Sequence, residues 1–174
     1  MKNFTQKFIR ILAIVFAISF NSNSQEIGQI YEGGYIFQIN EDGTGLVADL
    51  QDLGQMNWND AMSTAESATS QGFDGWYLPS SEELTLMYST IGYGGPEGDV
   101  GNFELNYYWS SSEVSDNGAR YVHFGNGLTY GGTKNISARV RIVRAVTFEV
   151  SGCIDASAYN FNADANTDDG SCCY

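Results

Sequence analysis

The sequence predicts an α+β domain with two helices beside antiparallel sheet, followed by a small disulfide-closed tail. Two segments of helical spacing lie between groups of short strand-like runs. Residues 25–152 contain no cysteine, whereas Cys153, Cys172 and Cys173 all fall in the last twenty-two positions. The body must therefore close by packing alone, and a chain of about 150 residues can bury roughly two thirds of its unfolded surface.

The chain opens with Lys2, Lys7 and Arg10, then the apolar run Ile11 to Phe20, then small polar residues up to Ser24. These are the three parts of a secretion signal, with cleavage expected after Ser24. A membrane helix needs about 20 apolar residues, and this run is shorter. Residues 1–24 are therefore read as a leader whose removal leaves no transmembrane anchor, and the absence of a cysteine at the cut argues against a lipoprotein. The mature protein is expected to be secreted or otherwise extracytoplasmic, at a cell surface or in a periplasm. Residues 25–150 form its body and 151–174 its tail.

After Gly34, the runs Tyr35 to Ile39 and Leu46 to Leu50 flank Glu41-Asp42-Gly43-Thr44-Gly45, a hairpin whose glycines admit positive φ. From Asn57 to Ser70 the spacing turns helical. Trp58, Ala61, Met62, Ala65 and Ala68 share a face, Asn57 is the expected cap with Asp60 three residues on, and Gly72 is the expected stop. The second helix follows Leu78-Pro79: Ser80 and Glu83 have capping-box spacing, and Leu84, Met87, Tyr88 and Ile91 form the apolar stripe. Gly92 ends it, and the glycine-rich stretch to Gly101 reads as an irregular loop. Strands resume at Tyr107 to Glu113 and Arg120 to Phe124, and Asn126-Gly127 marks a tight turn into Leu128 to Tyr130. A last strand is expected over Ala138 to Val150. Its arginines alternate with apolar residues and are expected on one wet face, while the doubled Ile142-Val143 predicts a bulge or a change of face.

Several segments, in this order, carry a family likeness: Gly33-Gly34-Tyr35-Ile36-Phe37, Gly45-Leu46-Val47-Ala48, Trp58-Asn59-Asp60-Ala61, Trp76-Tyr77-Leu78-Pro79-Ser80-Ser81-Glu82-Glu83-Leu84, Tyr108-Trp109-Ser110-Ser111-Ser112-Glu113 and Val140-Arg141-Ile142-Val143-Arg144. With them the chain resembles the bacterial Lcl C-terminal domain, named after the C-terminal region of a collagen-like adhesin, over residues 28–148. The resemblance implies a C-type-lectin-like fold, related in shape to formylglycine-generating enzymes, and an adhesin that binds polysaccharide. Two departures bear on function. The body lacks the internal disulfides usual in C-type lectins. Those lectins also carry a Trp-Asn-Asp triplet on a late strand for calcium and sugar, whereas Trp58-Asn59-Asp60 opens a helix here, so Asp60 is read as a capping residue.

All 21 acidic residues lie beyond the leader, while three of the eight Lys and Arg residues lie within it. A surface this acidic repels phosphate backbones and anionic membranes, so nucleic acid is not an expected partner. Oxidase chemistry of the formylglycine-generating type needs active-site cysteines that the body does not have. Ser110, His123 and Asp116 supply the residue types of a triad, but no Gly-x-Ser-x-Gly elbow surrounds Ser110. Glu82 and Glu83 are accounted for by a helix start, where negative charge is favourable, so no carboxylate pair stands out for glycoside hydrolysis. No catalytic residue is assigned.

The candidate ligand-binding residues are Tyr108, Trp109, Tyr121 and Tyr130, flat apolar platforms with polar rims that suit sugar faces. They come from a larger set, with Trp76 and Tyr107, most of which is expected to be core. Strand alternation sends Tyr107 and Trp109 one way and Tyr108 the other. Glu97 and Asp99, with Glu113 and Asp116, form an oxygen-only set suited to Ca²⁺, against the plainer reading of a solvated loop.

The tail resembles a short cysteine-bounded repeat of exported bacterial surface proteins. A Cys153–Cys172 bridge is the natural expectation, with Cys153–Cys173 as the alternative. Asp164, Asn166 and Asp168 have the alternate spacing of a calcium loop, although Gly170 falls one place late; the competing reading is an Asp/Asn-rich turn. Ca²⁺ is thus the one cofactor the sequence raises. The leading expectation is a non-enzymatic exported binding module, adhesin-like, that recognises polysaccharide or another surface polymer. The alternative is a structural or protein-interaction domain of a cell-envelope assembly, with a surface protein as partner, and a hydrolase stands behind both.

Overall fold

A computed structural model describes residues 25–174, and the leader assigned to residues 1–24 lies outside the described residues. Strands β1 (Ile30–Tyr31), β2 (Gly34–Ile39), β3 (Thr44–Asp49) and β4 (Gln55–Met56) precede helices α1 (Trp58–Glu66) and α2 (Ser81–Thr90). Strands β5 (Tyr107–Ser115), β6 (Gly118–His123), β7 (Leu128–Thr133), β8 (Ala138–Arg139) and β9 (Val143–Thr147) complete the body, and β10 (Ser151–Gly152) and β11 (Thr167–Asp168) lie in the tail. Two sheets share the body, in the orders β1-β2-β3-β9 and β4-β8-β5-β6-β7. All their pairings are antiparallel except a single parallel step between Tyr108 and Arg139, so the α+β class holds.

Both helices start where their local chemistry dictates. The Asn57 side chain accepts the Asp60 N–H at 3.1 Å and donates to the Asp60 carboxylate at 2.7 Å, so Asp60 does serve the helix start. At α2, Ser80 and Glu83 form the reciprocal box, and Glu83 also accepts the Tyr77 hydroxyl at 2.8 Å. The first helix is shorter than its periodicity predicts. The Ser63 and Ser67 hydroxyls donate to carbonyls of the preceding turn, competing with helix propagation, and the chain leaves at Ser67. It then reverses between Ser70 and Phe73, with Gln71 and Gly72 both at positive φ, the geometry of a mirror-image hairpin turn. The later hairpin has a four-residue loop, Phe124 to Gly127, rather than a two-residue turn, and Gly127 alone takes positive φ.

The expected last strand is two strands in two sheets. β8 pairs with β4 and touches β5, whereas β9 pairs with β3, and the crossing lies at Val140–Ile142. The doubled apolar pair marks this change of sheet. The expected wet face of arginines is wrong. Arg141 is 1% exposed. Its guanidinium donates to Asp52 at 2.6 Å, to the carbonyls of Asp49 and Gly101 at 2.9 Å each, and to that of Asn102 at 3.3 Å, and it lies over the Phe103 ring. Where strands end inside a body their carbonyls lose ladder partners, and five fixed donors on one side chain can satisfy several at once. Arg139 pairs with Asp52 and Glu104, and Arg144 with Glu32.

Four of the six segments that carry the family likeness meet at one joint. The Trp58 indole donates to the Ser110 carbonyl at 2.7 Å, the Ser111 N–H to the Pro79 carbonyl at 2.8 Å, and the Ser81 N–H to the Ser112 hydroxyl at 3.0 Å. Tyr77 and Val143 exchange backbone hydrogen bonds at 2.9 and 3.0 Å, which ties the Trp-Tyr-Leu-Pro segment to the second half of the Arg-rich one. Around this joint Trp58, Trp76, Trp109, Val140 and Ile142 form one core cluster, while Phe37, Leu84, Met87, Tyr108 and Phe124 form another beneath α2.

Candidate ligand-binding face

The outer face of β5-β6-β7 gathers aromatic side chains because the three strands run in register. Tyr107 lies opposite His123, Tyr121 opposite both Trp109 and Tyr130, and His123 opposite Leu128. Residues directly opposite point to the same side, so Tyr107, Tyr121, Tyr130 and His123 come together. The ring centres of Tyr107 and Tyr121 are 5.0 Å apart, Tyr107 and His123 4.6 Å, and Tyr121 and Tyr130 6.1 Å in a stacked arrangement. Tyr107 is 42% exposed, Tyr130 38%, and Tyr121 is half-buried. A Cβ at Gly132 would stand 2.6 Å from the Tyr121 ring and 3.1 Å from Ile136, so the bare glycine lets that ring lie flat across β7.

Two predicted platforms lie elsewhere. Tyr108 and Trp109 are both fully buried, and neither can meet a ligand. The Trp109 ring is covered by the core cluster it shares with Trp58, Trp76, Val140 and Ile142, and its indole donates to the Met56 carbonyl at 3.0 Å. The Tyr108 hydroxyl donates to Asp52 at 2.8 Å and accepts the Glu104 N–H at 2.9 Å; burial first, then the Asp52 charge, pushes its pKa far up. Tyr108 is a buried post between β5 and the glycine loop. Tyr121 and Tyr130 stand on the outer face, where Tyr107 joins them.

Ile136, which shares with the Tyr121 ring the space over Gly132, follows directly on Asn135 of a polar cleft of about 480 Å³, lined by Asn57, Asn59, Asp116, Asn117, Thr133, Lys134 and Asn135. It brings together the start of α1, the β5–β6 turn and the segment after β7. The Asn57 amide is spent on its cap, and the Thr133 hydroxyl donates to Asn135 at 2.6 Å. Lys134 bonds to Glu113 and sits 4.2 Å above the Trp58 ring. Asn59, Asp116, Asn117 and Asn135 are exposed. Sequence reasoning missed the cleft, since these asparagines fall in three separate segments of the chain and only the fold joins them.

The remaining candidates have other partners. The buried Ser110 hydroxyl donates to the Arg120 carbonyl at 2.9 Å, while His123 pairs with Tyr107, three residues along the strand, and its Nδ1 accepts the Gly125 N–H at 3.2 Å. The two side chains do not form a nucleophile and base. Both Asp99 oxygens accept the Phe103 N–H at 3.0 Å.

In the tail, Cys153 bonds to Cys172, and Cys173 is free and exposed. The Asn166 side chain accepts the Val150 N–H at 2.9 Å and donates to the Phe148 carbonyl at 2.7 Å, which docks the tail on the body. The Asp164 N–H is held by Asn162 and the Gly170 N–H by Asp168, both side-chain turns. Among the described residues no three His, Cys, Asp or Glu side chains cluster as a metal site would require. No helix of the described residues is long and apolar enough to cross a membrane.

A face of flat rings beside amides and a carboxylate can stack on apolar ring surfaces while exchanging hydrogen bonds with hydroxyl groups. A family model described as the Lcl C-terminal domain matches residues 38–144. No curated protein matches the chain.

Proposed function

The chain belongs to the Lcl C-terminal domain family, and from that premise we propose that it is an exported, non-enzymatic binding module that recognises polysaccharide or another surface polymer. The observation that carries this reading is the exposed row of Tyr107, Tyr121 and Tyr130. Rings left half-open on a regular sheet sacrifice burial worth about 25 cal/mol per Å², which a covering ligand would restore. In this reading the body, residues 25–150, has a C-type-lectin-like arrangement, residues 1–24 are its leader, and 151–174 a tail module. It works in an extracytoplasmic location, consistent with its adhesin-associated family and its disulfide. Ca²⁺ remains part of the proposal only as a condition of the test.

Retention of the mature chain on immobilised polysaccharides, with Ca²⁺ and with chelator, tests the reading. At least one polymer is expected to bind. Tyr121→Ala and Tyr130→Ala are each expected to weaken binding about tenfold, the worth of one ring stacked on a ligand, without moving the denaturation midpoint by much. Retention of no polymer under either condition sinks the proposal.

A second reading, a protein-interaction domain of an envelope assembly, is favoured by β7. This strand ends its sheet, and all but one of its six residues are exposed, so its outer edge is open to strand addition. Crosslinking in cells that captures one protein partner, together with no polymer binding, would select it.

A further inference from the structure

The charges around the tyrosine face speak to the class of ligand it accepts. Sulfate, phosphate and carboxylate groups on a polymer are ordinarily held by unpaired guanidinium or ammonium groups. The described residues contain five Lys and Arg side chains, and four of them are paired. Arg141 is buried on Asp52 and three carbonyls. Arg139 pairs with Asp52 at 3.2 Å and Glu104 at 3.5 Å, and Arg144 with Glu32 at 2.9 Å. Lys134, the one basic residue lining the cleft, is bonded to Glu113 and lies against Trp58.

Arg120 is exposed, but it precedes Tyr121 on β6, so alternation turns it to the opposite side of the sheet. The cleft itself presents the Asp116 carboxylate among the exposed amides of Asn59, Asn117 and Asn135. An amide offers both donors and acceptors, and a carboxylate accepts from hydroxyls and repels anions.

We infer that the ligand of this face is an uncharged, hydroxyl-rich polymer, its rings stacked on the tyrosine row and its hydroxyls held in the asparagine-lined cleft, and that polyanionic polymers are rejected. This rests on the polymer-binding reading above and narrows it.

The test compares neutral glucans and mannans with sulfated forms of the same backbones, so that charge is the only variable, on the mature chain in chelator. At least one neutral polymer is expected to bind, with its sulfated form about tenfold weaker or worse. Neutral binding should stay level from about 0.05 to 0.5 M NaCl, a range over which exposed charge pairs are progressively screened. The double variant Asn59→Ala with Asn117→Ala, at two exposed positions, should weaken neutral binding about fivefold or more with an unchanged denaturation midpoint.

Sulfated forms that bind as well as their neutral parents, with affinity falling as salt rises, would overturn the inference while leaving the binding reading intact. Unchanged neutral binding by the double variant would overturn the placement of hydroxyls in the cleft. Binding of neither form of any backbone would overturn both the inference and the reading beneath it.

Discussion

Arg141 shows how far one side chain can depart from its local pattern. Alternation with Val140 and Ile142 marks it as a surface strand residue, yet it is sealed among Asp52, Phe103 and the carbonyls of Asp49, Gly101 and Asn102. Removing one partner of a buried pair leaves the other charged and uncompensated. Arg141→Met is therefore expected to lower unfolding free energy by about 3–5 kcal/mol, read by chemical denaturation; a loss below about 1 kcal/mol would mean that water replaces the guanidinium freely.

Asp155, in the tail, illustrates the opposite case, an exposed group with a strong local preference. The Tyr174 hydroxyl first, then Ser157, hold its carboxyl down to about 2. A depressed carboxyl pKa gives a contribution present above the unfolded value of 3.8 and lost as pH falls through about 2. The environment of the Tyr174 ring, followed by NMR, should accordingly hold at moderately acid pH and change only on approach to pH 2; a change centred near pH 4 would contradict the contact.

At the scale of elements, what the sequence makes legible is what a few neighbouring residues decide. Asn57 and Ser80 cap the helices they precede, because side-chain oxygens three residues before a free N–H need no help from the rest of the chain. The end of α1 is less legible: an apolar stripe runs on through Ala68, but side-chain competition and the turn at Gln71-Gly72 stop the helix earlier. The tail is an element of its own kind. A loop of this length closed by a disulfide gains about 3 kcal/mol, and its body contacts run mainly through Asn166 and Val150. The pair Cys153→Ser and Cys172→Ser should therefore open residues 153–174 to limited proteolysis while the melting of residues 25–150 changes little. A large fall in body stability would show that tail and body fold as one.

For the whole molecule, charge is the property that composition fixes and packing only distributes. With 21 acids against five basic residues beyond residue 24, and four of those five paired, the folded chain repels itself at low ionic strength. Raising NaCl is expected to shift the denaturation midpoint upward by screening that repulsion; a downward shift would mean that the ion pairs outweigh it. The α+β class, both helix starts, the cysteine-free body, the family and the acidic character are all legible in the chain of residues alone, because each follows from short-range pattern or from composition. Which tyrosines face outward, how the last strand divides between two sheets, and which distant asparagines share a cleft emerge only in the folded chain. Those outcomes depend on strand register and on which segment covers which ring, and no window of neighbouring residues contains either.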